Sequence, residues 1–96
     1  MIVAGVASTG TEALSQIQVL RPDVVLVDVF LGEESGLELA PRLLREGPDD
    51  MAVILISTHS EAELASLIER VAVAGFLSKA DLSAEAIRKV LDGRAR

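Results

Sequence analysis

Two aliphatic runs, residues 24–27 and 51–56, constrain this chain more than any other feature. A strand with one wet face alternates apolar and polar side chains. A run with no alternation belongs to a strand covered on both faces, as in parallel sheets flanked by helices. The stretches between the runs have helical spacing instead. Leu14, Ile17 and Leu20 form one stripe, Leu37, Leu39, Leu43 and Leu44 a second, Leu64, Ile68 and Val71 a third, and Ile87, Val90 and Leu91 a fourth. With residues 2–7 and 76–78 as further strands, the chain reads as a strand–helix unit repeated four times. Crossover helices make successive strands parallel and right-handedly connected, so the expected fold is a doubly wound α/β sheet.

The boundaries carry their own chemistry. Thr9 stands three residues before Glu12, and Ser60 three before Glu63, the spacing of a capping box at a helix start. Arg21-Pro22 stops the first helix, because the residue before proline is driven out of the helical region. Residues 30–35 read as a polar loop containing Gly32. Pro41 sits deep in the second helical stretch, 36–46, which predicts an irregular or late-starting helix there. Residues 47–50, Gly-Pro-Asp-Asp, are a turn. Gly75 is expected to end the third helix, and Ser83 to cap the last.

Composition excludes several classes. Half the residues are apolar, ample for a core, and the length suits a single domain. Nine Lys and Arg against fifteen Asp and Glu give a net charge of −6, which argues against direct binding to nucleic acid. No cysteine means no disulfide or thiolate site, and a single histidine excludes His-rich zinc centres. The apolar runs are far shorter than the ~18–20 residues that span a bilayer, so no membrane segment is expected and the default address is cytoplasmic.

In a doubly wound sheet, chemistry gathers at the carboxyl ends of the strands. Asp28, Ser57 and Lys79 fall at three such ends. A carboxylate can attack phosphorus, a hydroxyl can donate to a phosphoryl oxygen, and an ammonium can neutralise another. The same residues also fit a plain Asp28–Lys79 salt bridge with Ser57 opening a turn. Spacing leaves both readings open.

The run Val24-Val25-Leu26-Val27-Asp28-Val29-Phe30-Leu31, followed by Gly36-Leu37-Glu38-Leu39, resembles the phosphoacceptor segment of bacterial response-regulator receiver domains. Val53-Ile54-Leu55-Ile56-Ser57 is similar to their fourth strand with its Ser/Thr switch residue, and Ala74-Gly75-Phe76-Leu77-Ser78-Lys79 to their fifth strand with its lysine. The resemblance spans nearly the whole chain. It implies a flavodoxin-like fold of strand order 2-1-3-4-5 and a two-component signalling role without enzyme activity. Asp28 would take a phosphoryl group from a histidine kinase or phosphotransfer protein. Lys79 would contact that group, and Ser57 with Phe76 would form the switch pair. Mg²⁺ would be held by Asp28 and the backbone carbonyl of Phe30. Homo-oligomers would form through the region of the family's fourth helix and fifth strand.

Several positions depart from the family pattern. The family's first strand, which ends in the acidic pair that holds Mg²⁺, and its first helix have no counterpart before Ile2. Residues 1–96 thus read as a receiver-like domain truncated at its amino end, a (βα)4 remnant of a (βα)5 fold. Glu33 and Glu34 lie on the correct rim but read as solvated loop carboxylates, and Asp49-Asp50 belongs to the opposite one. Gly32 and Ala80 stand where the family commonly has proline. His59 borders the site as a loop residue. Losing a central strand would leave unpaired apolar edges on the strands at 2–7 and 24–27, to be covered by a second chain, a swapped strand, direct pairing of the two, or residues upstream, so marginal stability or association is expected.

Three other functions fit parts of the sequence. A receiver-like interaction domain that is never phosphorylated keeps the fold without the acidic pair. A haloacid-dehalogenase-type phosphatase needs a second Asp where Phe30 stands. A flavin module would use Ser8-Thr9-Gly10-Thr11 as a phosphate cradle, but the chain has no Tyr or Trp to stack on the ring, and a helix cap explains the same residues.

Overall fold

A computed structural model describes residues 2–4, 9–31, 34–57 and 73–94. Four parallel strands form one sheet in the order β1 (Val3–Ala4), β2 (Val24–Asp28), β5 (Ala52–Ser57), β6 (Gly75–Ser78). Helices α1 (Gly10–Leu20) and α2 (Gly36–Glu46) pack on one face. Helix α3 (Ala84–Arg94) packs on the other. This is the doubly wound, flavodoxin-like α/β architecture that the alternating runs predict.

The missing alternation in the two runs has the expected cause. Val25, Val27, Val53 and Leu55 join Ile17 and Leu43 in the core beneath α1 and α2. Val24, Leu26, Ile54 and Ile56 point the other way and meet Ile87 of α3. Each strand is therefore apolar on both faces because both faces are covered. The α1 stripe is only partly as expected: Ala13 and Ile17 are buried, whereas Leu20 is 47% exposed.

Thr9 caps α1, its hydroxyl accepting from the Glu12 N–H at 3.1 Å. Arg21 leaves the helix in the left-handed region (φ 47°, ψ 57°), since Pro22 bars it from continuing helically. Ser83 caps α3 through the Ala86 N–H at 3.0 Å. The helix expected after Ser60, with Glu63, Leu64, Ile68 and Val71, lies outside the described residues.

Three expectations are corrected. Residues 30–35 hold two short antiparallel strands, β3 (Phe30–Leu31) and β4 (Glu34–Ser35), rather than loop alone. Helix α2 begins at Gly36 with Pro41 inside it. Proline there removes one intrahelical bond, while Leu39, Ala40 and Leu43 bury the stripe and offset the loss. Gly75 is the first residue of β6, paired with Ile54, rather than a helix end.

Of the ways to cover the strand edges at 2–7 and 24–27, the chain takes direct pairing: β1 lies beside β2, Val3 opposite Val24 and Ala4 opposite Val25. The Ile2 carbonyl accepts from the Asp23 and Val24 N–H groups, and the Asp23 carboxylate accepts from the Ile2 N–H at 2.7 Å. Buried backbone groups on β2 require partners, and β1 supplies them.

Candidate functional site

Because the strands are parallel, their carboxyl ends share one rim. Asp28 ends β2 opposite Ile56, and Ser57 ends β5 opposite Ser78, the last residue of β6. Lys79 follows as the first residue of a 3₁₀ turn over Lys79–Asp81. The Val29 N–H donates to the Ile56 carbonyl at 2.9 Å, tying the backbone just beyond Asp28 to β5.

The acid and the amine meet there. Lys79 Nζ lies 2.6 Å from Asp28 Oδ2, with the lysine side chain 43% exposed and the aspartate 15%. Ser57 is fully buried at the end of the neighbouring strand. Phe76 sits opposite Leu55 and packs against the core cluster under α1 and α2. Phe30 lies in β3 opposite Ser35. Asp49 and Asp50 precede β5 and so belong to the other rim. His59 and Glu33 lie outside the described residues.

Among the described residues the donors fall short of a magnesium site. Asp28 is a single carboxylate whose Oδ2 already holds the Lys79 ammonium. Among the described residues no group of three or more His, Cys, Asp or Glu gathers around a common point. Magnesium asks for six oxygen ligands in near-octahedral array.

Two residues shape the site without having been singled out in the sequence. Ser78 Oγ accepts from the Ala80 N–H at 3.2 Å and caps the turn that carries Lys79. A proline at position 80 has no N–H for that bond, so the alanine there is a local determinant of the lysine's position. A serine two residues before an N–H that needs a partner was the available signal. Gly36 opens α2 and donates its N–H to the Val29 carbonyl at 2.8 Å, placing the helix start directly behind Asp28. Its signal was a helix start with glycine in the first turn.

A groove of about 470 Å³ runs along α1, past Thr11, Ser15 and Val19.

Comparison with known proteins gives the lineage. The response regulator receiver domain family matches residues 1–92. The chain belongs to that family. This receiver domain is 40% identical over 92 residues to the transcriptional activator protein ExaE of Pseudomonas putida, covering 93% of the chain and 42% of that protein. It is 36% identical over 95 residues to the response regulator GacA of Pseudomonas viridiflava, covering 96% and 44%. The chain thus spans less than half the length of these curated relatives. A response regulator of Burkholderia pseudomallei, solved with a phosphorylated aspartic acid, calcium ion and citrate, superposes with a TM-score of 0.72 at 21% identity, covering 93% of this chain and 54% of that one. Receiver domains in general bind Mg²⁺ at their phosphorylation site and are not enzymes, and response regulators work with histidine kinases or phosphotransfer proteins. Among the described residues no helix is long and apolar enough to cross a membrane.

Proposed function

We propose that this receiver domain accepts a phosphoryl group on Asp28 from the phosphohistidine of a histidine kinase or phosphotransfer protein. The observation that carries the reading is the 2.6 Å contact between Lys79 and Asp28 at the rim where Ser57 also ends its strand. An Asp28 carboxylate oxygen attacks phosphorus, the P–N bond to the donor imidazole breaks, and the imidazole nitrogen keeps the electron pair and takes up a proton. The product is an acyl phosphate on Asp28. Lys79 shifts from the carboxylate to a phosphoryl oxygen and neutralises charge there, as a compact ammonium on a flexible stem does well. Ser57 donates its hydroxyl to another phosphoryl oxygen. Phe76, seated on β6 against the α1/α2 core, repacks in response.

The phosphorylated aspartic acid in the Burkholderia pseudomallei relative supports the same chemistry on the shared fold. This chain has no catalytic turnover of its own in this reading. A receiver-like docking domain that takes no phosphoryl group is the second reading. The donor set around Asp28, too sparse among the described residues for magnesium, favours it.

Incubating the chain with acetyl phosphate and Mg²⁺ and weighing it intact separates the two. The phosphoacceptor reading expects a gain of one phosphoryl group that Asp28→Asn abolishes. An unchanged mass under conditions that label another receiver domain overturns it in favour of the docking domain.

A further inference from the structure

The geometry points to Gly36 as a positioning residue for the Asp28 carboxylate. The Asp28–Val29 peptide is fixed from two sides. Its N–H, that of Val29, donates to Ile56 of β5 at 2.9 Å. Its carbonyl, that of Asp28, faces Gly36 at the start of α2. A β carbon built on Gly36 would collide with the Asp28 carbonyl oxygen, lie 2.9 Å from the carbonyl carbon and 3.0 Å from Val27 Cγ1. The first two are backbone atoms of the last residue of β2, paired to β5, and have no rotamer to yield with. Carbonyl and N–H belong to one rigid plane, so turning the carbonyl away breaks the bond to Ile56. The remaining escape is to push the start of α2 outward, which breaks the 2.8 Å bond from the Gly36 N–H to the Val29 carbonyl. Either movement acts on the backbone that aims Asp28 at Lys79.

Gly75, Gly93 and Gly47 have different surroundings. A β carbon on Gly75 would meet Val90 Cγ1 at 2.6 Å, a side-chain atom of α3 and not the backbone of a site residue. One on Gly93 would meet nothing within 4 Å. On Gly47 it would meet the end of the Met51 side chain and, at 3.0 Å, the Leu43 carbonyl, far from the rim. Gly36 alone among these four presses on the backbone of a site residue. Its absent side chain is thus a requirement of Asp28's aim.

The test uses the full chain with ¹⁵N-labelled lysine. The Lys79 ammonium, held by Asp28, should give a ¹H–¹⁵N signal that disappears in Asp28→Asn. Gly36→Ala should remove or strongly displace that signal while the chain stays folded, and should slow phosphoryl uptake from acetyl phosphate about 10- to 100-fold, the usual penalty for a misplacement of about 1 Å. Gly75→Ala, also a tight site but off the Asp28 backbone, and Gly93→Ala should leave the signal in place. A folded Gly36→Ala chain with an unaltered Lys79 signal overturns the proposal, and so does equal loss of the signal in Gly75→Ala. If Gly36→Ala does not fold, it is placed in a background carrying Arg21→Gly and Gly93→Ala, both expected to stabilise at a distance. The uptake arm rests on Asp28 being the acceptor, whereas the ammonium signal does not. A wild-type chain that takes no phosphoryl group but loses its Lys79 signal in Gly36→Ala refutes that reading and leaves the positioning role standing.

Discussion

β5 and β1 are parallel strands of the same sheet, yet they sit in different physical worlds. Every residue of β5 from Ala52 to Ser57 is buried, and the strand is paired on both sides over several residues. Among the described residues β1 pairs over two positions, with β2, and Ile2 is 51% and Val3 38% exposed. Val19 and Leu20 at the end of α1 are exposed as well, at 77% and 47%. The chain thus has a rigid seam, β2 against β5, and a loosely finished margin, β1 with the end of α1. The candidate site hangs from the seam. Asp28 and Ser57 are the terminal residues of its two strands, and the bond from Val29 to Ile56 closes it behind them. Position on the sheet, more than the apolar content of a strand, decides how firmly a functional group is held.

The contrast breaks most visibly under truncation of the core. Leu55→Ala removes a fully buried side chain between β2 and β6, and a loss of about 2–5 kcal/mol is expected in urea unfolding. Val3→Ala on the margin should cost less than about 1 kcal/mol. Equal losses would erase the distinction between seam and margin.

A second prediction sharpens the link from seam to chemistry. Lys79→Ala should change stability by no more than about 1 kcal/mol, because the lysine is partly exposed. The same change should slow phosphoryl uptake about 100-fold, since a positioned cation is worth that much to developing charge. A large stability loss with unchanged uptake would make the pair a structural salt bridge instead.

Thr9→Ala probes the margin from its other side. Losing the cap on α1 should cost about 1 kcal/mol by thermal melting and leave the Lys79–Asp28 pair untouched. The smallest effect belongs to the Glu85–Lys89 pair, 3.7 Å apart on the outer face of α3 with both side chains largely exposed. Lys89→Ala should move stability by no more than about 0.5 kcal/mol, and less in high salt.

The seam was legible in the sequence, and the margin was not. Residues 24–27 and 51–56 lack polar alternation because helices cover both their faces, and that requirement is written locally in the residue types. The rim positions of Asp28 and Ser57 follow from the same two runs and that of Lys79 from the short strand at 76–78, since each residue comes at the end of one. The pairing of β1 with β2 is different, for which strand lies beside which is a tertiary choice that neither segment records. β3 and β4 are two residues each, too short to show a period. The start of α2 at Gly36 was obscured by Pro41, whose lost bond is outweighed by burial of Leu39 and Leu43. Gly36 itself exerts its effect through an absent side chain, visible only once the Asp28 carbonyl lies against it.

The most direct measurement maps the phosphoryl group to its residue. The chain is charged from a phosphohistidine donor, treated with hydroxylamine to convert any acyl phosphate to a hydroxamate, and cleaved for mass analysis. The account predicts a single hydroxamate, at residue 28. Hydroxamate on a different carboxylate, or none while the donor loses its phosphoryl group to a parallel receiver domain, would contradict it.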